Sequence, residues 1–182
     1  MPWKTISYCG MNFANTEPPC YICDTMKITL LTVGKTDISW VAAGLDTYRS
    51  RLKHYVPFEI VEIPELKNVS SLTREQIKSK EGELILKNVK ASDDVILLDE
   101  KGKRYRSLDF AGFLEEKLSR GGRDIVFVIG GAYGFSGQVY DRAGSLLSLS
   151  DMTFSHQLVR TIFAEQLYRA FTIMRGEPYH HE

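Results

Sequence analysis

From Met26 onward, short continuous apolar runs alternate with longer stretches in which apolar positions recur every three or four residues. The runs Lys27–Val33, Phe58–Ile63, Val95–Leu98, Ile125–Ile129 and Leu146–Leu149 are rich in leucine and β-branched residues and end in polar residues or glycine. Strands covered on both faces have this pattern, because neither face has to be polar. Between them the spacing predicts helices over Asp37–His54, Thr73–Val89, Ser107–Leu118, Ser136–Ala143 and Ser155–Met174. Asp37, Thr73 and Ser107 stand where N-caps are expected, and Gln76 completes a capping box with Thr73. The alternation predicts an α/β fold: a mainly parallel sheet flanked by helices and joined by right-handed crossovers. The loop 64–71 is polar.

The terminal helix carries Leu158, Ile162, Ala164, Leu167, Phe171 and Met174, widened by Val159, Phe163, Ala170 and Ile173. One sheet contact does not need so broad a stripe. Either the helix is sunk in its own core or its second face packs on another copy; a homodimer is the expectation. The 182 residues carry 23 Lys and Arg against 23 Asp and Glu, so no global positive field holds nucleic acid. No apolar run is long enough to cross a bilayer and no secretion-signal pattern opens the chain, so the default expectation is a cytoplasmic protein without a membrane partner.

All three cysteines, Cys9, Cys20 and Cys23, fall before Met26, in a stretch without helical or strand period. Residues 1–25 read as an extension, flexible or non-native, and 26–182 as the domain. Cys20 and Cys23 have C-x-x-C spacing, but no second pair accompanies them, so no metal site is expected.

Three strand ends can converge on one crevice: Leu98-Asp99, Gly130–Gly134 (GGAYG) and Leu149–Phe154 (LSDMTF). The glycines let main chain approach a ligand, while Leu98, Leu149, Met152 and Phe154 offer apolar walls. Such a pocket suits a flat heterocycle held by main-chain hydrogen bonds. It suits phosphate poorly, because the chain has no G-x-x-x-x-G-K-[ST]. The glycine pattern and its late position also disfavour a nucleotide-dependent oxidoreductase.

The ordered motifs Val33-Gly34-Lys35, KEGE (Lys80–Glu83), LLDEKGK (Leu97–Lys103), VIGGAYG, LSLSDMTFSHQLVR, EQLYRAF and a final PYHHE resemble the RlmH-type methyltransferases of the SPOUT class over Met26–Glu182. The resemblance implies a C-terminal trefoil knot, a homodimer and S-adenosylmethionine as methyl donor. It further implies N3 methylation of a pseudouridine in large-subunit ribosomal RNA, on assembled ribosomes. Carried over by position, the cofactor contacts would be Leu98, Gly130, Leu149, Ser150, Asp151, Met152, Thr153 and Phe154. Ala132-Tyr133 departs from the Pro-Glu that other members carry in the glycine loop, which implies a changed pocket wall.

Attack by the N3 of a uracil-type ring is aided by loss of its proton, and His156, His180 and His181 can titrate near neutral pH. The catalytic candidates are His156, Arg160, Tyr179 and His180, with His156 alternatively a helix cap and Arg160 alternatively a surface or inter-subunit ion pair. The resemblance places Tyr179 and His180 beside the target nucleotide. Lys101, Lys103, Arg104 and Arg106, extended by Arg169 and Arg175, are candidates for gripping RNA. The competing expectation is a ribosome-binding module of the same fold without catalysis.

Overall fold

A computed structural model describes residues 26–180. The expectations for the leader's cysteines and for His181 lie outside the described residues. The elements are β1 (Ile28–Val33), α1 (Ser39–Leu52), β2 (Phe58–Ile63), a 3-10 turn at Val69–Ser71, α2 (Arg74–Lys87), β3 (Asp94–Arg104), α3 (Ser107–Ser119), β4 (Ile125–Ile129), α4 (Gly137–Arg142), β5 (Ser145–Ser148) and α5 (Leu158–Met174). The five strands form one sheet in the order β2-β1-β4-β3-β5, and every pairing is parallel.

Both faces of the central strands are covered. Ile28 and Leu30 of β1, Ile96 of β3 and Phe127 of β4 join one apolar cluster with Leu114 of α3 and Phe163, Leu167 and Phe171 of α5. The alternate residues Leu31, Val33, Val95, Leu97, Val126 and Val128 join a second cluster with Ile85 of α2 and Val139 of α4. Period two thus divides each continuous run between two layers. On the first layer, the Phe127 and Phe163 ring centroids lie 4.6 Å apart.

Helix starts differ from expectation where tertiary contacts set them. Thr73 forms the full capping box: its hydroxyl accepts from Gln76 N at 3.2 Å, and its own N–H donates to the Gln76 side-chain carbonyl at 2.9 Å. Ile38 and Arg106, rather than Asp37 and Ser107, occupy the N-cap positions of α1 and α3 without a side-chain cap. α5 begins at Leu158 with Gln157 as its N-cap, so neither Ser155 nor His156 opens it; the Ser155 hydroxyl accepts from Leu158 N at 3.2 Å.

β3 runs past Leu98 through a polar stretch that periodicity could not flag. Leu98 pairs with Leu147, and after a register shift Lys103 pairs with Leu147 again and Arg104 with Ser148. Two segments of β3 therefore share β5. Gly102 makes this fit possible: a Cβ there would overlap the backbone of Leu147 and Ser148. Gly102→Ala is expected to lower the unfolding free energy by about 1–3 kcal/mol, as overpacking does; urea unfolding checks this, and an unchanged midpoint would contradict it.

Candidate functional site

The middle of β3, at Leu98–Lys101, and the C-terminal ends of β4 and β5 open onto a crevice of about 800 Å³. Leu98, Gly130, Leu149, Ser150, Met152, Thr153, Phe154 and His156 all line it. Its depth is apolar, from Ile129, Leu147 and Leu98. Ligands in open α/β sheets bind at strand ends of this kind.

The crevice floor is main chain for a steric reason. A Cβ at Gly130 would come within 3.0 Å of the Phe135 ring, and one at Gly131 would lie 2.5 Å from a Glu81 carboxyl oxygen. Gly134, at φ +79°, closes the turn, with its N–H donating to Gly131 O at 3.2 Å. On the far wall, residues 149–154 make no backbone-to-backbone hydrogen bond among the described residues. The segment is held by side chains instead: Ser148 Oγ donates to Ser150 O at 3.0 Å, and Met152 N donates to Ser150 Oγ at 2.9 Å. Main-chain donors and acceptors therefore remain for a ligand.

Asp99 and Tyr140 form a fixed polar corner. The Tyr140 hydroxyl donates to Asp99 Oδ2 at 2.6 Å, and Lys101 N donates to Asp99 Oδ1 at 2.8 Å. Burial and then the Asp99 carboxylate push the Tyr140 phenol up to about 12, so it stays protonated and donating at neutral pH.

The remaining sequence candidates are dispersed. The Asp151 side chain turns outward and pairs with Arg104; both are well exposed, so the pair adds little stability. Arg160 is fully buried and is neither a surface nor an inter-subunit residue. Its guanidinium donates to Val33 O at 2.9 Å, Thr36 Oγ1 at 2.8 Å and His156 O at 3.0 Å, with Glu62 at 3.7 Å. Burial pulls the guanidinium below its ordinary value, opposed by Glu62, Asp37 and Glu65, yet arginine stays charged at neutral pH. It braces α5 against the exit of β1 and does not face the crevice.

The tail folds back on α5. The Tyr179 hydroxyl donates to Glu165 at 3.2 Å, and its ring packs edge-on to Tyr168 at 4.8 Å. His180 lies 3.4 Å from Arg169 and lines a separate cavity of about 320 Å³ with Arg106, Ser107 and Leu108. Neither tail residue lines the crevice of its own chain. Of the basic candidates, Lys101 lines the crevice, while Lys103 sits 4.6 Å over the Tyr105 ring.

Periodicity missed Arg74, Lys78 and Glu81 of α2. Arg74 and Lys78 reach the crevice rim. Glu81 packs beneath the glycine loop with one carboxyl oxygen buried and unpartnered. The KEGE motif marked the place without revealing the contact. Among the described residues no helix is long and apolar enough to cross a membrane, and no group of His, Cys, Asp and Glu could hold a metal ion.

Residues 26–180 match the family described as a predicted SPOUT methyltransferase. A relative from Parabacteroides distasonis, named ribosomal RNA large subunit methyltransferase H, is 52% identical over 157 residues, covering 86% of this chain and 100% of the relative. One of the same name from Christiangramia forsetii is 53% identical over 156 residues, covering 86% and 99%.

Burial, and secondarily Glu65, raises the Glu81 carboxyl above its ordinary value. The native state then holds this proton more tightly than the unfolded chain, so stability declines as pH rises from the ordinary carboxylate range, about 4.3, through the raised value. Glu81→Gln is expected to remove that part of the decline. Urea unfolding across the weakly acidic range checks it, and identical pH profiles for the two proteins would contradict it.

Proposed function

The chain belongs to the SPOUT methyltransferase family, and on that premise we propose that it methylates large-subunit ribosomal RNA with S-adenosylmethionine, at N3 of a pseudouridine in the assembled ribosome. The observation that carries this reading is the meeting of Leu98, Gly130, Leu149, Ser150, Met152, Thr153 and Phe154 around one crevice.

The residues fit an adenosine sulfonium. Leu98, Ile129 and Leu149 exclude water from a flat ring, and the side-chain-free floor at Gly130 admits close main-chain approach. The main-chain groups of 149–154 other than Ser150 O and Met152 N offer the hydrogen bonds that orient it. When bound, S-adenosylmethionine supplies an electrophilic methyl group. The protein contributes alignment of the target nitrogen with that methyl. His156, exposed on the rim, is one candidate acceptor of the N3 proton, and positioning of the ring alone is the other reading.

Residues 26–182 form the catalytic domain in this reading, with a knotted C-terminal half, and the protein acts as a cytoplasmic homodimer. The half-buried apolar side chains Leu158 and Ile162 on α5, which join neither core cluster, support the second subunit. The dimer also reconciles the tail with the chemistry: Tyr179 and His180, absent from the crevice of their own chain, serve the crevice of the partner.

Gly130→Arg, which drives a side chain toward Phe135 and the slot, is expected to weaken S-adenosylmethionine binding by more than about tenfold in calorimetry, with the fold retained by circular dichroism; undiminished affinity would move the cofactor elsewhere. Deleting residues 178–182 is expected to spare cofactor binding and abolish methyl transfer to ribosomes that lack the modification, read by mass spectrometry of the RNA. Unchanged transfer would remove the tail from the reaction, and no transfer by the intact protein would refute the proposed function.

A further inference from the structure

Tyr133 is a bulky aromatic of the crevice that the fold does not use. Its neighbours are committed: Phe135 is buried in the α2–α4 layer, and Tyr140 is bonded to Asp99. Tyr133 belongs to neither apolar cluster and keeps 47% of its surface exposed. It is a central residue of the turn closed by Gly134 N and Gly131 O, so it stands at the apex of the glycine loop. The guanidinium of Arg74, first residue of α2, lies 5.7 Å from its ring centroid, within cation–π range. Both residues line the crevice mouth, as do Lys78 and Lys101.

We propose that Tyr133 and Arg74 form a stacking platform for an unpaired base of the RNA substrate, next to the base that reacts. This rests on the reading that RNA is the substrate. An exposed ring beside Arg74 and Lys101 suits a nucleotide: the π-face takes any base, and the cations take the adjoining phosphate, while Lys78 is paired with Glu75 at 2.7 Å. A protein without net positive charge needs such local contacts to hold RNA at all. The position also agrees with a dimer. α2 and α4 cover the sheet face opposite α5, so pairing through α5 leaves the platform open. The deeper part, walled by Leu98, Ile129 and Leu147 with the Asp99–Tyr140 corner beside it, remains for the cofactor.

The test uses the full chain and ribosomes lacking the modification. Tyr133→Ala is expected to weaken ribosome association about tenfold in co-sedimentation and to raise KM for ribosomes by a similar factor. Calorimetric affinity for S-adenosylmethionine and the melting temperature should stay at the wild-type values. Tyr133→Phe should behave as wild type, since the ring provides the stacking face, and Arg74→Gln should lose about two- to fivefold. Unchanged association and KM in Tyr133→Ala would overturn the platform. Lost cofactor affinity in that variant would overturn it too, making Tyr133 a wall of the cofactor slot. Co-sedimentation reads the platform without the chemistry, so wild-type protein that binds ribosomes through Tyr133 yet transfers no methyl group would refute the proposed reaction and leave the platform standing.

Discussion

A buried guanidinium ties this structure together. Arg160 lies in the first turn of α5, and its hydrogen bonds reach Val33 and Thr36 at the exit of β1 and His156 just before its own helix. Gln157 adds a bond to Lys35 O at 2.7 Å. Together they fix where α5 begins relative to the ends of the strands. The chain leaving β5 at Ser148 must then reach that point through residues 149–157, and this bridge forms one wall of the crevice. Arginine suits this position because it stays charged and its planar fork of donors satisfies several acceptors at once. Glu62 balances the charge and also accepts from Thr36 N and Oγ1, so the hub extends into β2. Removing the guanidinium would strand the buried Val33 carbonyl without a donor, a costly polar defect.

Around that anchor the site is built from backbone brought unusually close. Gly102 lets the far end of β3 press onto β5, and Gly130 and Gly131 let the loop after β4 lie against Phe135 and Glu81. A crevice with a main-chain floor keeps its shape because its walls are strand ends whose register the sheet already sets. Fixed dipoles of this kind orient a bound group at little cost in reorganisation.

The central sheet was legible because β1, β4 and the first half of β3 are buried on both faces, which leaves unbroken apolar runs. The start of α2 was legible because a capping box is local chemistry. Legibility failed where distant contacts decide. Residues 99–104 are polar and become strand only because β5 lies beside them. Arg160, a charged residue near the start of a helix, looks from sequence like a surface residue, and only the exit of β1, 127 positions away, explains its burial. Strand-end logic and motif resemblance singled out Leu98, Gly130 and the 149–154 run, which line the crevice except for Asp151. Arg74 was invisible to both, since nothing in the order of residues places the start of α2 over the glycine loop.

That this crevice holds the methyl donor is the central claim, and a crystal structure of the full chain grown with S-adenosylmethionine tests it most directly. Electron density for an adenosine is expected between Leu98 and Leu149, its polar edge on the main chain of Gly130 and the 149–154 segment. Well-ordered cofactor density elsewhere, or an empty crevice at saturating cofactor, would contradict the claim.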